Sequence, residues 1–270
     1  MDNVTNMADD STIEVRFSDG TSTRGTIMIA ADGSNSKARS LIFPGSAGLS
    51  HQVPYGGVNM HVQYGEADIA RHLCKYASPI LCVGIHPRGY WLWLSIQDVP
   101  DPEKPEDWVF QLQWTWNLES SASMLGDTKL ESLQKQASEE FAEPFRSAWL
   151  RIPERTPVPT NRISVWDPIP VDAAFSGRVA LVGDAGHAMS FHRGQGMNHG
   201  INDALTLCTE LAEAAAGRKH VVEAVQSYEK EMIARAGEEV KISRMNTEMM
   251  HDWQRLKESP FMQRGGDKNK

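Results

Sequence analysis

The stretch VALVGDAGHAMSFHRGQGMNHGINDA, from Val179 to Ala204, decides the fold. An apolar strand ends at Gly183-Asp184, a loop with several glycines follows, and a helix then begins. In open α/β sheets, ligands bind just beyond the carboxyl ends of the strands, where Asp184 could accept hydrogen bonds from sugar-type hydroxyl groups. Gly194 and Gly196 would let backbone N–H groups approach a flat or anionic ligand closely, and a helix N-terminus favours negative charge. The stretch therefore predicts a ligand-binding strand–loop–helix joint.

Two other interpretations of this joint concern its glycines. Gly194-Gln195-Gly196 with Gly200 is close to the dinucleotide-binding fingerprint, but the last glycine comes one residue late. The first glycine also lies far from the strand end at Val182, instead of in the turn directly after it, so we reject this interpretation. A purely structural joint, in which the glycines only allow close packing, stays open as the alternative.

A metal site is the third alternative for the same stretch. It would use the three histidines His187, His192 and His199 together with Asp184. No pair of these histidines has the i, i+4 spacing that places two ligands on one helix face, and zinc-type sites need convergent ligands. We therefore predict that the chain holds no metal.

Composition excludes several classes of protein. The chain has 270 residues, enough for one large domain or two modest ones, and a formal net charge of −8 without a lysine or arginine block. This argues against a nucleic-acid surface, and no apolar run is long enough for a membrane span. The polar, acidic start MDNVTNMADD is neither a secretory signal nor a transit peptide. Three cysteines without metal-like spacing (Cys74, Cys82 and Cys208) fit a reducing compartment, so we expect a cytoplasmic protein.

Upstream, the segment TIEVRFSDGTSTRGTIMIAADGSNSKAR predicts a hairpin that leads into a buried strand. Ile13, Val15 and Phe17 alternate with polar residues, and Asp19-Gly20 supplies the turn. The following TIMIAA is continuously apolar, as is typical of a strand covered on both faces. It stops at Asp32-Gly33, and a short helix is predicted from about residues 34–36.

The middle of the chain predicts an antiparallel sheet. The runs VNMHVQY, ILCVGIH, YWLWLSI and WVFQLQWTW are rich in β-branched and aromatic residues and are separated by turn formers. In the last run the period of two places five residues on one face: Trp108, Phe110, Leu112, Trp114 and Trp116. A helical segment interrupted at Pro144 follows, and two helices are predicted after the opening stretch, from about Met197 to near Gly217 and from about His220 towards Trp253.

Two motifs together resemble one family, the single-component FAD-dependent monooxygenases of the aromatic-hydroxylase type. AADGSNSKAR is similar to that family's Asp-Gly motif, with Asp32, Gly33, Ser36 and Arg39 at matching positions. The opening stretch is similar to its Gly-Asp motif. The matching positions there are Gly183, Asp184, His187, Gly194, Gly196, Asn198 and Asp203. The resemblance covers roughly residues 11 to 255, with both motifs in the family's order.

The resemblance implies a mixed α/β fold. Its parts are a partial FAD-binding doubly wound fold, an inserted antiparallel β-sheet substrate domain, and C-terminal helices. The implied division is residues 1–43 (partial FAD-binding domain with the Asp-Gly motif), 44–160 (β-rich substrate domain) and 161–270 (FAD-binding domain with the Gly-Asp motif, and C-terminal helices). The family's first fingerprint, a strand–GxGxxG–helix unit for the ADP half of FAD, has no counterpart in this sequence, so a truncated form is expected.

The resemblance also implies roles for residues. Asp184, after Gly183, would bind the ribityl chain of FAD, and the loop of Gly194, Gln195, Gly196, Met197 and Asn198 would face the pyrimidine edge of the flavin. A helix N-terminus at that edge would stabilise the negative charge of reduced flavin. Asp32 is a further expected FAD contact. Arg39 is expected either at the FAD pyrophosphate or in a surface salt bridge. No catalytic acid or base is assigned.

The predicted sheet carries three candidate substrate contacts. His61, Trp93 and Trp114 lie on strands that could line the substrate side of the flavin, although aromatic residues at a period of two are often core residues. The implied activity of the family is hydroxylation or epoxidation of an aromatic or polycyclic small molecule in secondary metabolism. NAD(P)H reduces the flavin, and O2 supplies the oxygen atom.

Without the GxGxxG unit, the strands TIMIAA and RVALVG would have an uncovered apolar edge. We expect a homo-oligomer or a complementing chain to cover that edge, and weak or absent FAD binding by the isolated chain. Two alternatives stay open: a flavin-free descendant acting as an isomerase, cyclase or small-molecule binding protein, and a purely structural partner subunit.

Overall fold

The computed structural model describes residues 1–7, 12–76, 80–119, 130–259 and 262. The strands are β1 Asn3–Asn6, β2 Ile13–Arg16, β3 Ser22–Gly25, β4 Met28–Ala30, β5 His51–Gln63, β6 Leu81–His86, β7 Tyr90–Asp98, β8 Val109–Asn117, β9 Thr160–Val165 and β10 Val179–Leu181. The helices are α1 Lys37–Ile42, α2 Ala67–Tyr76, α3 Leu130–Glu140, α4 Phe145–Leu150, α5 Asp184–His187, α6 Gly196–Ala215, α7 Val221–Met250 and α8 Trp253–Glu258. The predicted mixed α/β class with an antiparallel sheet is confirmed.

The described residues form two compact units. The first unit comprises Met1–Val53 and Ser164–Thr247, and the second comprises Pro54–Ile163 together with the described residues from Glu248 onward. The chain therefore passes from one compact unit to the other near residues 53, 163 and 247. The division at residues 43 and 160 stays a prediction about function.

A short parallel sheet lies at the centre of the first unit. Strand β10 pairs with β4 in parallel, with Val179 opposite Met28 and Leu181 opposite Ala30. Both apolar strands predicted from the sequence are therefore present. The expectation that TIMIAA is covered on both faces is wrong, because the Ile29 side chain is 50% exposed. In the part of the chain that the structure describes, this sheet has two strands, and that leaves one side of β4 open.

The predicted hairpin is confirmed and gains a third strand. Strands β2 and β3 pair antiparallel, and Gly20 in the turn between them has a φ of +85°, a backbone conformation that favours glycine. Residues 3–6 form β1, which pairs antiparallel with β2. The sequence did not predict this strand because Val4 is its only buried side chain.

The second unit contains a five-stranded sheet in the order β6-β7-β8-β5-β9. The pairs β5–β8, β7–β8 and β6–β7 are antiparallel. One face of this sheet packs with α2, α3 and α4 into a core that includes Val58, Met60, Val62, Leu92, Leu94, Phe110, Leu112, Trp114, Trp116, Leu133 and Trp149. The period-two pattern of the last predicted run is confirmed, since its alternate apolar residues lie on this face and Trp108 packs beside them.

The helical predictions are also confirmed. Helices α3 and α4 are separated at Pro144, and α6 ends just before Gly217, whose φ is +71°. Helix α7 packs Val225, Tyr228 and Met232 against β10 and α6. Within the described ranges, none of the helices combines the length and apolar character that a membrane crossing requires.

Candidate functional site

The residue that follows β10 turns the chain sharply. Gly183 has φ +61° and ψ −140°, a conformation that is essentially restricted to glycine. Its N–H donates a 2.7 Å hydrogen bond to Oδ2 of Asp203 in α6. Helix α5 begins at the next residue, Asp184, whose side chain is exposed. The turn therefore presents a carboxylate at the end of a buried strand.

The N-terminus of α6 is uncapped. Among the described residues, the Gln195 side chain at the N-cap position makes no capping hydrogen bond, and the first helical backbone bond runs from the His199 N–H to the Gln195 carbonyl. A helix leaves its first N–H groups without an intrahelical partner, here those of Gly196, Met197 and Asn198. These groups and the helix dipole produce positive potential at this end of α6.

The Asp184 carboxylate and the N-terminus of α6 lie side by side. A Cβ atom built on Gly196 would be 3.6 Å from Oδ1 of Asp184, and one built on Gly200 would be 3.6 Å from the Cα of Gly183. Gly194 has a left-handed φ of +64°, and a Cβ there would meet open space among the described residues. Glycines thus keep free the space between a hydrogen-bond acceptor and a row of donors.

This donor and acceptor set fits a flavin. Asp184 can accept hydrogen bonds from polyol hydroxyl groups, as a ribityl chain offers. The first N–H groups of α6 can donate to carbonyl and ring-nitrogen acceptors on the edge of a flat ring. The structure brings together Gly183, Asp184, Gly194, Gln195, Gly196, Met197 and Asn198.

Arg39 occupies a different position from either of the two predicted. Its side chain is 1% exposed, and its guanidinium donates to five acceptors: Gly48 O, Asp184 O, Ala185 O, Ser34 O and Ser50 Oγ. It also lies over the Trp166 ring, with its Cζ 4.7 Å from the ring centroid. All five N–H donors are used by the protein, so Arg39 is neither a pyrophosphate ligand nor a surface salt bridge. It fixes the backbone of the Asp184 turn instead.

Asp32 holds the start of α1. Its carboxylate accepts from Ser36 Oγ at 2.6 Å and from the Ala38 N–H at 3.0 Å. Desolvation raises the pKa of Asp32, but these hydrogen bonds outweigh it and bring the pKa below its ordinary value. The Asp-Gly motif therefore has a local structural role, and contact of Asp32 with FAD stays a prediction.

A buried ionic network, which sequence reasoning did not assign, supports the site. Asp203 is fully buried and accepts from His187 Nε2 at 2.6 Å and from Arg235 Nη2 at 2.7 Å. Burial raises the pKa of Asp203, but the hydrogen bonds from His187 and Arg235 outweigh it and lower the pKa overall. The Gly-Asp motif includes His187 and Asp203, so the family resemblance pointed to two of the three residues of this network. Arg235 lies 32 positions further along the chain, and no sequence spacing points to it.

The three histidines of the opening stretch do not gather around one point, although the rings of His187 and His199 lie 6.1 Å apart. His192 Nδ1 is 2.9 Å from Thr247 Oγ1, His187 faces Asp203, and Nδ1 of His199 is 2.8 Å from Arg235 Nη1. In the described ranges, no group of three or more histidine, cysteine, aspartate or glutamate side chains is placed to hold a metal ion.

The three predicted substrate contacts fall on opposite faces of the sheet. Asn59 pairs with Gln113, which pairs with Trp93, so these three side chains share the face opposite the helix-packed core. His61 is two residues beyond Asn59 on the same face. Trp114 is 0% exposed within the core. The placement of Trp114 in a substrate pocket is therefore wrong, because it belongs to the set of residues that pack against the helices.

The first unit also exposes apolar surface. A cavity of about 490 Å³ runs along β4 and the hairpin, and its lining includes Ile13, Val15, Phe17, Ile27, Ile29 and Ala30. On α6, Met197, Ile201 and Leu205 are spaced four residues apart and are 77%, 58% and 65% exposed. The buried residues of the same helix, Asp203 and Leu207, lie on its other side, so these exposed apolar side chains form a separate face.

Comparison with known proteins gives a consistent result. Residues 2–243 match the family described as "FAD binding domain". The chain is 38% identical over 252 residues to the FAD-dependent monooxygenase phnB of Penicillium herquei, covering 92% of this chain and 61% of that protein. It is 31% identical to the FAD-dependent monooxygenase cctM of Talaromyces islandicus, covering 96% of this chain and 64% of that protein.

A solved structure supports the fold. HpxO of Klebsiella pneumoniae, crystallised with FAD and uric acid, superposes with a TM-score of 0.69 at 23% identity. The match covers 95% of this chain and 60% of HpxO. The chain thus spans a little under two thirds of the length of each of these three proteins.

Proposed function

Because the chain belongs to the family of FAD-dependent monooxygenases, we propose that it holds the flavin ring and ribityl chain in an oxidoreductase that inserts an oxygen atom into an aromatic or polycyclic small molecule. The observation that carries the proposal is the pairing of an exposed carboxylate with an uncapped helix end. Oδ1 of Asp184 would lie 3.6 Å from a Cβ on Gly196, the first residue of α6. When bound, FAD would supply the redox chemistry between NAD(P)H and O2.

The residues of this chain would bind and orient that group. Asp184 would accept hydrogen bonds from the ribityl hydroxyls, and the N–H groups at Gly196, Met197 and Asn198 would donate to the pyrimidine edge of the ring. The partial positive charge at this end of α6 favours the extra negative charge that the ring carries when it is reduced. Arg39 acts through the backbone, because it binds the carbonyl oxygens of Asp184 and Ala185.

The open face of the five-stranded sheet is our candidate for a substrate-binding surface. Trp93 is partly exposed there, and its indole N–H donates to Ser95 Oγ at 2.8 Å, which fixes the ring. The face also carries His61, Asn59 and Gln113, so it offers an aromatic surface next to polar groups. Such a surface suits a flat aromatic substrate with hydroxyl or carbonyl substituents.

The apolar surface of the first unit is our candidate for a partner contact. A parallel sheet is normally covered by helices on both faces, and β4 leaves Ile29 half exposed beside an apolar cavity. We propose that a strand–helix segment adds a strand to this sheet and covers that cavity. The lengths of phnB and cctM beyond the matched region support such a segment. Association of two copies of this chain is the competing outcome, and sedimentation velocity distinguishes a monomer from a dimer.

Titration of the chain with FAD tests the proposal. Flavin fluorescence and visible absorbance are followed with the chain alone and after addition of the part of phnB that lies outside the match. We expect weak binding alone and at least tenfold tighter binding in the mixture. No change in flavin signal in either sample would contradict FAD binding and would favour a flavin-free protein. We also keep the cytoplasm as the proposed location, since the three cysteines are free thiols.

A further inference from the structure

The buried carboxylate of Asp203 connects the two halves of the candidate site. Its Oδ2 accepts from the Gly183 N–H at 2.7 Å and from His187 Nε2 at 2.6 Å, and its Oδ1 accepts from Arg235 Nη2 at 2.7 Å. Three donors therefore surround a side chain that has no exposed surface. Neither the family resemblance nor the proposed chemistry assigns a role to this arrangement.

On the strand side, Asp203 fixes the turn that presents Asp184. Gly183 has many backbone conformations open to it, because glycine adopts positive φ without steric strain. The bond from its N–H to Asp203 selects one of them, and it runs from the turn directly to α6. Because the next residue is Asp184, a shift of this bond would move the carboxylate.

On the helix side, Arg235 connects Asp203 to the first turn of α6. Its Nη2 donates to Asp203, and its Nη1 lies 2.8 Å from Nδ1 of the His199 ring. The backbone N–H of His199 donates to the Gln195 carbonyl. Burial, and then the nearby charge of Arg235, lower the pKa of His199, which favours the neutral ring that can accept this bond. Glu231 holds the other edge of the guanidinium through Arg235 Nε at 2.7 Å.

The chemistry of His187 agrees with this arrangement. An ionised Asp203 can only accept, so the His187 Nε2 atom carries the proton. The other ring nitrogen, Nδ1, is buried and has no partner in the described part of the chain. The ring of His187 is therefore oriented by one short bond to the carboxylate.

We propose that Asp203 and Arg235 are positioning residues that set the separation between the Asp184 carboxylate and the N-terminus of α6. Asp203 holds the turn, Arg235 holds the first turn of the helix through His199, and the Asp203–Arg235 ion pair joins the two. The effect of these residues on flavin binding rests on the proposed function, whereas their effect on the backbone geometry does not depend on it.

Three variants of the full chain test the proposal. Asp203→Asn keeps the volume but cannot accept from all three donors. Arg235→Lys keeps the charge, but a single ammonium group cannot reproduce the planar fork that reaches both Asp203 and His199. Tyr228→Phe is the matched control, since it removes a buried 2.7 Å hydrogen bond to the Leu181 carbonyl in the same region without touching the turn.

The first measurement needs no cofactor. Amide hydrogen exchange is followed by NMR for Gly183, together with the ring N–H signal of His187. We expect Asp203→Asn to raise exchange at Gly183 by about tenfold or more, the equivalent of losing one hydrogen bond to a charged group, and to abolish the far-downfield His187 signal. Tyr228→Phe should leave both unchanged. Unchanged protection of Gly183 in Asp203→Asn would overturn the inference.

The second measurement is FAD affinity at a temperature where circular dichroism shows all variants folded. Asp203→Asn and Arg235→Lys should each weaken binding about tenfold or more, whereas Tyr228→Phe should bind like the unaltered chain. Equal losses in all three would show a general structural role and contradict positioning. If the unaltered chain failed to bind FAD both alone and with the part of phnB outside the match, while the exchange result held, the proposed function would fail and the geometric role would stand.

Discussion

Replacement of Arg39 by methionine should strongly destabilise the first unit. Arg39 is fully enclosed, and its five hydrogen bonds join segments far apart in the chain: the loop at Gly48, the Asp-Gly motif at Ser34 and the turn at Asp184–Ala185. Methionine fills a similar length but donates nothing. The carbonyl oxygens that Arg39 binds would then stay buried without a donor.

The magnitude follows from those acceptors. Ser34 O retains a second donor, Ser50 Oγ at 2.8 Å, so three carbonyls are left unsatisfied: those of Gly48, Asp184 and Ala185. Each buried unsatisfied group costs about 1–3 kcal/mol, and the lost contact with Trp166 adds about 0.5–1 kcal/mol. Removal of a buried charge recovers part of this sum, because desolvation of the guanidinium is itself unfavourable. We expect a net loss of about 3–5 kcal/mol.

Urea unfolding followed by far-UV circular dichroism measures this loss, and hydrogen exchange in α1 and α5 locates it. Arg24→Met is the matched control. Arg24 is 61% exposed and pairs with Glu14 at the surface, where such pairs contribute about 0–1 kcal/mol. A loss for Arg39→Met as small as that of Arg24→Met would refute the reasoning that Arg39 fixes the turn.

Three further predictions concern the site, the sheet and acid stability. Gly196→Ala should change the unfolding free energy by less than about 1 kcal/mol but weaken FAD binding at least about tenfold, because the added Cβ lies against Asp184. The control Gly237→Ala in α7 should leave FAD binding unchanged. Trp114→Ala should lower the unfolding free energy measured in urea by about 3–5 kcal/mol, and Trp93→Ala should lower it by under about 2 kcal/mol. Equal losses would contradict their placement on opposite faces. The lowered pKa of Asp32 means that its ionised form stabilises the fold above the unfolded-state pKa and that this contribution disappears as acid protonates it. Unfolding free energy should therefore fall less steeply between about pH 5 and 2 in an Asp32→Asn variant, and a parallel pH profile would contradict this.

The elements with strong local signals could be predicted from the sequence. Alternation of apolar residues identified β5 to β8, because a half-covered strand has to place its apolar side chains on one face. Glycine near residue 217 marked the end of α6, since the left-handed conformation there favours it. The strand end at Gly183-Asp184 and the start of α6 near Met197 were likewise visible in the glycine pattern.

Features that depend on contacts between distant residues could not be predicted. Alternation places Trp114 and Trp93 on defined faces, but it does not say which face the helices cover. The partners of Arg39 are mostly backbone carbonyls, which every residue carries, so no sequence pattern reveals them. Arg235 and Asp203 lie on different helices and meet only through packing.

An NMR titration of the ¹⁵N-labelled chain with FAD tests the shared flavin site most directly, because it detects weak binding residue by residue. The structure predicts that amide shifts appear together at Gly183–Asp184 and at Gly194–Asn198, saturate with one dissociation constant, and weaken in an Asp184→Ala variant. Shifts at only one of the two segments, or none with FAD in millimolar excess, would contradict the assignment.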